Sequence, residues 1–162
     1  MCMEVEHRYY IIKWSSIWIF LPFLIWLFKK NKAPLYSAIF LPITGVSSML
    51  HWSSNHKGDP RHLFDIFSST TLIILLSIRL IQTNVHLCLF LLTGICLLFF
   101  IQRYLQINRT VSWDLITCIH LLFHYLIFLL AMFVHLPNIK WILFITVCII
   151  IHMIWLYSSY KI

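Results

Sequence analysis

The sequence has little charge and few glycines. Only 10% of its 162 residues are Asp, Glu, Lys or Arg, whereas 61% are hydrophobic and the mean hydropathy is +0.89. A soluble domain is about a quarter charged, so this chain has too little polar surface to cover a water-soluble globule. The same scarcity excludes intrinsic disorder, which needs low hydrophobicity and high charge. Only three glycines exclude a collagen-like or glycine-rich repeat. What remains is an integral membrane protein.

The basic residues and the cysteines do not change this class. The net charge of +7 comes from twelve Lys and Arg residues, which are spread along the loops and tails rather than gathered in a patch. We therefore expect no nucleic-acid partner. The five cysteines include no Cys-x-x-Cys pair and mostly lie inside apolar runs, so we interpret them as packing residues rather than a disulfide framework.

Apolar runs separated by short polar connections predict an all-α, polytopic transmembrane helical bundle of about six spans. A span needs about 20 apolar residues, and residues 1–162 form one such domain. The predicted spans cover residues 14–28, 35–52, 63–80, 85–104, 114–134 and 140–157. A lysine cluster and no small-residue cleavage site follow the first span, so we expect that span to be retained as an anchor. The chain is thus expected to be a multi-pass protein of a lipid bilayer.

Polar residues within the spans are the candidates for function, because a charged side chain at mid-helix costs about 2.5–3.5 kcal/mol on insertion scales. Six spans place both termini on one side of the membrane, here named side A. Most of the polar residues fall in the side-A half: Ser47, His51, Asp65, His120, His124 and His152. His86 lies at the opposite end and is excluded, and we interpret His152 as a packing residue.

The spacing of these residues favours a shared site. His120 and His124 are spaced i, i+4, which puts two imidazoles on one helix face and offers two nitrogens to one metal ion. Ser47 and His51 have the same spacing at the end of the second span. Each feature also has a simpler interpretation: His51 as an interfacial residue, and Asp65 as a helix-start residue favoured by the helix dipole. Their joint occurrence at one depth on three spans favours the site.

Three short blocks carry a family resemblance: Ser47-Ser48-Met49-Leu50-His51, Phe64-Asp65-Ile66-Phe67-Ser68 and His120-Leu121-Leu122-Phe123-His124. They resemble the signature of the CREST superfamily of membrane hydrolases, which comprises alkaline ceramidases, progestin and adipoQ receptors and Per1-like lipid-remodelling proteins. That signature is Ser-x3-His at the end of one span, Asp at the start of the next and His-x3-His in a late span. The second block is most similar to the Per1-like branch. The family bundle has seven helices, whereas here one span instead of three separates the Asp from the His pair, and one span follows the pair.

The resemblance implies a zinc ion held by His51, His120 and His124, with Asp65 and Ser47 as catalytic residues. Three imidazoles and a water form the open tetrahedral site of a catalytic zinc. Asp65 would act as general base, and Ser47 would either donate to the developing oxyanion or orient the water. A carbonyl at this depth belongs to a lipid, so we predict a zinc-dependent hydrolase of a lipid amide or ester.

Three other functions remain compatible with the same residues. A zinc-stapled receptor or scaffold without catalysis would have a closed fourth coordination position, for instance from Cys118 or His152. A haem-binding electron carrier would place paired histidines across two helices, although haem does not need the neighbouring Asp and Ser. A small membrane assembly subunit would carry no chemistry.

Overall fold

The computed structural model describes residues 10–29, 35–52, 60–108, 113–135 and 138–159. Within these ranges the chain forms six helical segments and no strand. We number them in chain order as α1 Tyr10–Phe28, α2 Leu35–His51, α3 Pro60–Thr83, α4 Val85–Asn108, α5 Trp113–His135 and α6 Ile139–Ser159. Each helix overlaps one of the predicted spans, and the predicted all-α helical bundle is confirmed.

Four of the described helices are long and apolar enough to cross a membrane: Tyr10–Phe28, Pro60–Thr83, Val85–Leu105 and Leu115–His135. Two shorter apolar helices, Leu35–His51 and Ile142–Trp155, accompany them. Large apolar side chains lie on the outer surface, among them Phe90, which is 73% exposed, and Phe100, which is 69% exposed. Lipid tails cover such side chains, and the intrahelical hydrogen bonds satisfy the backbone there. The protein is therefore a multi-pass integral membrane protein.

Local sequence explains where several helices begin. Pro60 is the first residue of α3, a position that suits its fixed φ and does not need its missing N–H. Asn84 caps α4, because its side-chain oxygen accepts a hydrogen bond from the backbone N of Leu87 at 3.0 Å. Asn138 does the same for α6, accepting from the backbone N of Lys140 at 3.0 Å. Short polar connections therefore start new helices with defined caps.

Helix α5 lies at the centre of the bundle. It packs against α1, α3, α4 and α6. Of the apolar 18-residue stretch that could cross a membrane, 56% is buried inside the protein in α5, compared with 17% in α4. Ile127 and Leu130 belong to one apolar cluster, shared with α1 to α4. Phe128 and Met132 belong to a second cluster, shared with α1 and α6. A polar side chain on the inward faces of α5 is therefore shielded from lipid, and His124 is only 4% exposed.

Helix α1 changes geometry where two serines face the interior. The hydroxyls of Ser15 and Ser16 donate back to the carbonyl of Ile12 at 2.7 and 3.2 Å. Such back-bonding often bends helices, and a 3₁₀ turn, Ser16–Ile19, follows directly. Ser16 Oγ also lies 3.0 Å from Ser48 Oγ of α2. The buried hydroxyl of Ser16 thus lies against α2 near its end.

A glycine allows α1 and α2 to approach closely. Gly45 faces the ring of Phe20, and a Cβ at this position would overlap the ring atoms. Any larger side chain would push the two helices apart or displace the ring. The close approach holds α1 beside the part of α2 that carries Ser47 and His51.

Candidate functional site at one end of the bundle

Ser47 and Asp65 join α2 to α3 by a hydrogen bond. Ser47 Oγ donates to Asp65 Oδ1 at 3.2 Å and lies 2.7 Å from Ser68 Oγ. Ser68 Oγ is in turn 3.1 Å from the carbonyl oxygen of Asp65. Ser47 and Ser68 are both buried, at 2% and 1% exposure. The two predicted catalytic residues are therefore in direct contact, in a small polar group between the end of α2 and the start of α3.

His120 and His124 lie together on α5, as their spacing predicts. Their ring centroids are 4.6 Å apart, with the ring planes inclined at 64°. Because α5 is packed on several sides, this pair lies among neighbouring helices rather than against lipid. Two imidazoles in edge contact can direct nitrogens to a common point, which isolated surface histidines do not do.

Each imidazole of this pair makes a hydrogen bond through Nδ1. His124 Nδ1 lies 2.7 Å from Ser15 Oγ of α1. His120 Nδ1 lies 3.0 and 3.2 Å from the amide nitrogen and oxygen of Gln102 of α4. The other nitrogen of His120, Nε2, is buried and has no hydrogen-bond partner among the described residues. The ring orientations are thus set from α1 and α4, and at least one Nε2 is left for a ligand.

His51 approaches the pair from α2 but has other ring neighbours. Its imidazole stacks on His62 of α3 at a centroid distance of 4.5 Å. Trp52 makes edge contacts with both His51, at 4.8 Å, and His120, at 4.9 Å. The structure therefore gathers all three predicted ligands at one end of the bundle, with Trp52 in contact with two of them.

The His pair offers ligand atoms of the type that zinc prefers. Imidazole nitrogen is a preferred zinc ligand, and a ligating histidine usually has its second nitrogen held by a protein group. Ser15 and Gln102 supply such groups here. Within the described ranges, however, no three His, Cys, Asp or Glu side chains are arranged so as to hold a metal ion. A third ligand, His51 above all, stays a prediction.

A cleft reaches Ser47 from the outer surface between α2 and α3. It has a volume of about 240 Å³ and is lined by Ser47, Leu50, Pro60, Arg61 and Phe64. Leu50 and Phe64 are half exposed, at 50% and 54%, on a surface that faces lipid. The cleft therefore offers a mainly apolar approach to Ser47, with Arg61 as the charged residue of its lining.

Several residues of this polar group are not among those predicted from the sequence. Ser15, Gln102 and Ser68 touch a predicted site residue, and His62 stacks on one. Ser15, Gln102 and Ser68 lie in the side-A part of the predicted spans, so the same depth criterion applied to every hydroxyl and amide would have included them. His62 directly precedes the predicted span 63–80 and would not have been included. Their contacts with the predicted site residues depend on how each helix is rotated about its axis, which depth in the membrane does not specify.

The remaining polar residues considered from the sequence lie elsewhere. Trp18 Nε1 donates to His152 Nδ1 at 3.2 Å, and the His152 ring stacks on Trp155, which places His152 in aromatic packing between α1 and α6. Cys118 and His86 are exposed. These positions give no support to a fourth ligand from Cys118 or His152.

Comparisons of the chain with protein-family models, with curated proteins and with solved structures found no match. The resemblance to the CREST superfamily therefore rests on the three sequence blocks alone.

Proposed function

We propose that the protein is an integral-membrane hydrolase that uses zinc to cleave an amide or ester bond of a lipid. The observation that carries this proposal is the hydrogen bond between Ser47 and Asp65, at the end of the bundle that also holds His120 and His124. These are the residues in which the chain resembles the CREST hydrolases. A carboxylate that contacts a hydroxyl, at the same end of the bundle as a buried imidazole pair, is costly to place in a membrane protein, which favours a function for the group.

Asp65 is proposed as the general base. Its carboxylate accepts a proton from the attacking water as the water oxygen bonds to the carbonyl carbon of the lipid. The same proton then passes to the leaving amine or alcohol as the C–N or C–O bond breaks, which regenerates the carboxylate. Correctly positioned acid–base catalysis of this kind typically contributes about 10²–10⁴-fold in rate.

Ser47 is proposed to stabilise the charge that develops on the carbonyl oxygen. Its hydroxyl is buried among polar neighbours, and its proton, which Asp65 accepts here, would turn to the carbonyl oxygen as charge develops there. In a site shielded from water one such donor is typically worth about 10²–10³-fold in rate. Ser47 also lines the cleft, which would bring a substrate carbonyl to it.

His120 and His124 would hold the zinc ion, with His51 as the third proposed ligand. When bound, zinc polarises a carbonyl and lowers the pKa of its water to about 7. The protein contributes the shielded position of the pair on α5 and the hydrogen bonds from Ser15 and Gln102 that orient the rings.

The substrate is proposed to be a lipid because the cleft opens on the apolar surface of the bundle. Leu50 and Phe64 would contact an acyl chain, and a lipid in the bilayer reaches this opening without leaving the membrane. Apart from Ser47 and Arg61 the lining is apolar, which suits an acyl chain better than a sugar or a peptide.

Release of fatty acid from lipid bilayers tests this proposal. The purified protein in nanodiscs would be supplied with ceramide in one series and with phosphatidylcholine in another, and released fatty acid would be measured by mass spectrometry. We expect release from at least one of the two lipids. Asp65→Asn and His120→Ala should each lower it at least about 100-fold.

His86→Ala is the matched control, because His86 is an exposed histidine at the end of α4 opposite to Gln102. It should retain full turnover. No release from either lipid, or undiminished release in both Asp65→Asn and His120→Ala, would contradict the proposal.

A further inference from the structure

The hydroxyl of Ser15 makes two short contacts but has only one proton. It donates to the backbone carbonyl of Ile12 at 2.7 Å, one turn back in α1. Its oxygen lies 2.7 Å from Nδ1 of His124. A carbonyl oxygen cannot donate, so the serine proton belongs to the contact with Ile12. The contact with His124 must then have the imidazole as donor.

This assignment specifies the tautomer of His124. A neutral imidazole has one N–H, and the hydrogen bond made by one nitrogen decides which nitrogen carries the proton. With Nδ1–H donating to Ser15, Nε2 of His124 carries a lone pair. His124 is 4% exposed and Ser15 is fully buried, so water does not compete for this bond.

Gln102 can impose the same tautomer on His120. Both ends of its amide lie within 3.2 Å of His120 Nδ1. When the amide oxygen accepts from Nδ1–H, Nε2 keeps a lone pair. The opposite arrangement would leave a buried N–H at Nε2, and that atom has no hydrogen-bond partner among the described residues. A buried donor without an acceptor is costly, whereas a lone pair is what a cation requires.

We propose that Ser15 and Gln102 are positioning residues that fix both imidazoles of the α5 pair in the Nδ1–H form, with both Nε2 lone pairs available to a divalent cation. The identity of that cation as zinc rests on the proposed function, whereas the tautomers do not. Helices α1 and α4 carry none of the predicted ligands. They would in this way determine which imidazole nitrogens of α5 can bind a cation. A purely structural role, in which these bonds only tie helices together, would not require one particular tautomer.

Nitrogen NMR of the histidines tests the tautomers directly. The protein labelled with ¹⁵N-histidine, metal-free and in detergent micelles, would be examined by long-range proton–nitrogen correlation, and the signals assigned by their loss in His120→Ala and His124→Ala. We expect both residues to show a protonated Nδ1 and an unprotonated Nε2. Ser15→Ala should shift His124 toward the Nε2–H form, and Gln102→Leu should do the same for His120.

Conservative variants separate positioning from folding. Gln102→Glu keeps only acceptor oxygens and Ser15→Thr keeps the hydroxyl, so both should retain the Nδ1–H form. Ser77→Ala is the matched control, because Ser77 is a buried serine that bonds back to the carbonyl of Ile73. It should leave both histidines unchanged.

Zinc affinity gives a second measurement, by competition with a chromophoric chelator. Loss of groups that orient metal ligands typically weakens affinity about 10–100-fold, and we expect that loss in Ser15→Ala and Gln102→Leu but not in Gln102→Glu. An Nε2–H form of both histidines in the unaltered protein would overturn the inference, as would unchanged tautomers and affinity in Ser15→Ala and Gln102→Leu. A protein that binds no zinc and cleaves no lipid would defeat the proposed function instead, while the NMR result would still decide the inference.

Discussion

Ser47 of α2 and Asp65 of α3, which are 18 residues apart in sequence, are joined by a 3.2 Å hydrogen bond. The bond lies between the two helices that also line the cleft open to lipid. A side-chain hydrogen bond within a protein typically contributes about 0.5–1.5 kcal/mol to stability, and somewhat more when one partner is charged. This modest stabilisation alone does not account for a carboxylate within a membrane span, whereas the catalytic role proposed for Asp65 would.

Substitution of the two serines should separate catalysis from stability. Ser47→Ala should lower kcat for lipid hydrolysis about 10²–10³-fold, because the hydroxyl that donates to the oxyanion is lost. Ser68→Ala removes a buried hydroxyl that contacts Ser47 but does not line the cleft. This variant should lower kcat far less. Both should lower the free energy of unfolding by a similar amount, about 1 kcal/mol. Equal losses of kcat would contradict the assignment of Ser47.

Filling the cleft should slow long-chain substrates. Leu50→Trp adds bulk where the lining is half exposed and should lower kcat/KM for a long-chain lipid. It should affect a short-chain soluble ester less, since that substrate needs less of the cleft. Ile78→Trp is the matched control, because Ile78 is similarly exposed on α3 at 49% but lies toward the other end of the helix. If Leu50→Trp and Ile78→Trp change kcat/KM equally, substrate enters elsewhere.

Zinc removal should destabilise the bundle as well as stop turnover. A cation bound to the folded state alone stabilises it by about 2.7 kcal/mol when its concentration is 100 times Kd. Treatment with a chelator should therefore lower the thermal unfolding temperature of the protein in detergent, and added zinc should restore it. His124→Ala should unfold at a temperature that no longer responds to chelator. The same response in this variant as in the unaltered protein would place any bound metal away from the α5 pair.

The close approach of α1 and α2 predicts unequal effects of two glycine substitutions. Gly45→Ala should destabilise the protein by about 1–3 kcal/mol, because the new Cβ overlaps the ring of Phe20. Gly94→Ala should cost less, since its nearest neighbour, 3.0 Å from an added Cβ, is the flexible end of Leu126. Thermal unfolding in detergent measures both. Equal destabilisation would show that the α1–α2 contact is looser than described.

The number and type of helices could be predicted because apolar length is a property of composition. The predicted second span, residues 35–52, differs from the observed Leu35–His51 by one residue. Depth along the membrane was predictable for the same reason, since alternating spans fix which end of each helix lies on a given side. Ser47 and Asp65 were therefore expected at one level, and the structure puts them in contact.

The partners of each side chain could not be predicted in this way. Depth does not specify how a helix is rotated or which helices are neighbours, because these follow from packing of whole surfaces. Ser15 and Gln102 contact the α5 histidines only because α1 and α4 pack against α5. The stacking of His51 on His62 likewise depends on the rotation of α3, and a sequence pattern of three histidines gave no sign of it.

The zinc content of the purified protein tests the central claim most directly. Elemental analysis should find one zinc ion per chain in the unaltered protein and in His86→Ala, and none in the double variant His120→Ala, His124→Ala. An absorbance spectrum of the same sample should show no Soret band. Absence of zinc from the unaltered protein, zinc retained by the double variant, or a Soret band that indicates haem would each contradict a zinc hydrolase built on this histidine pair.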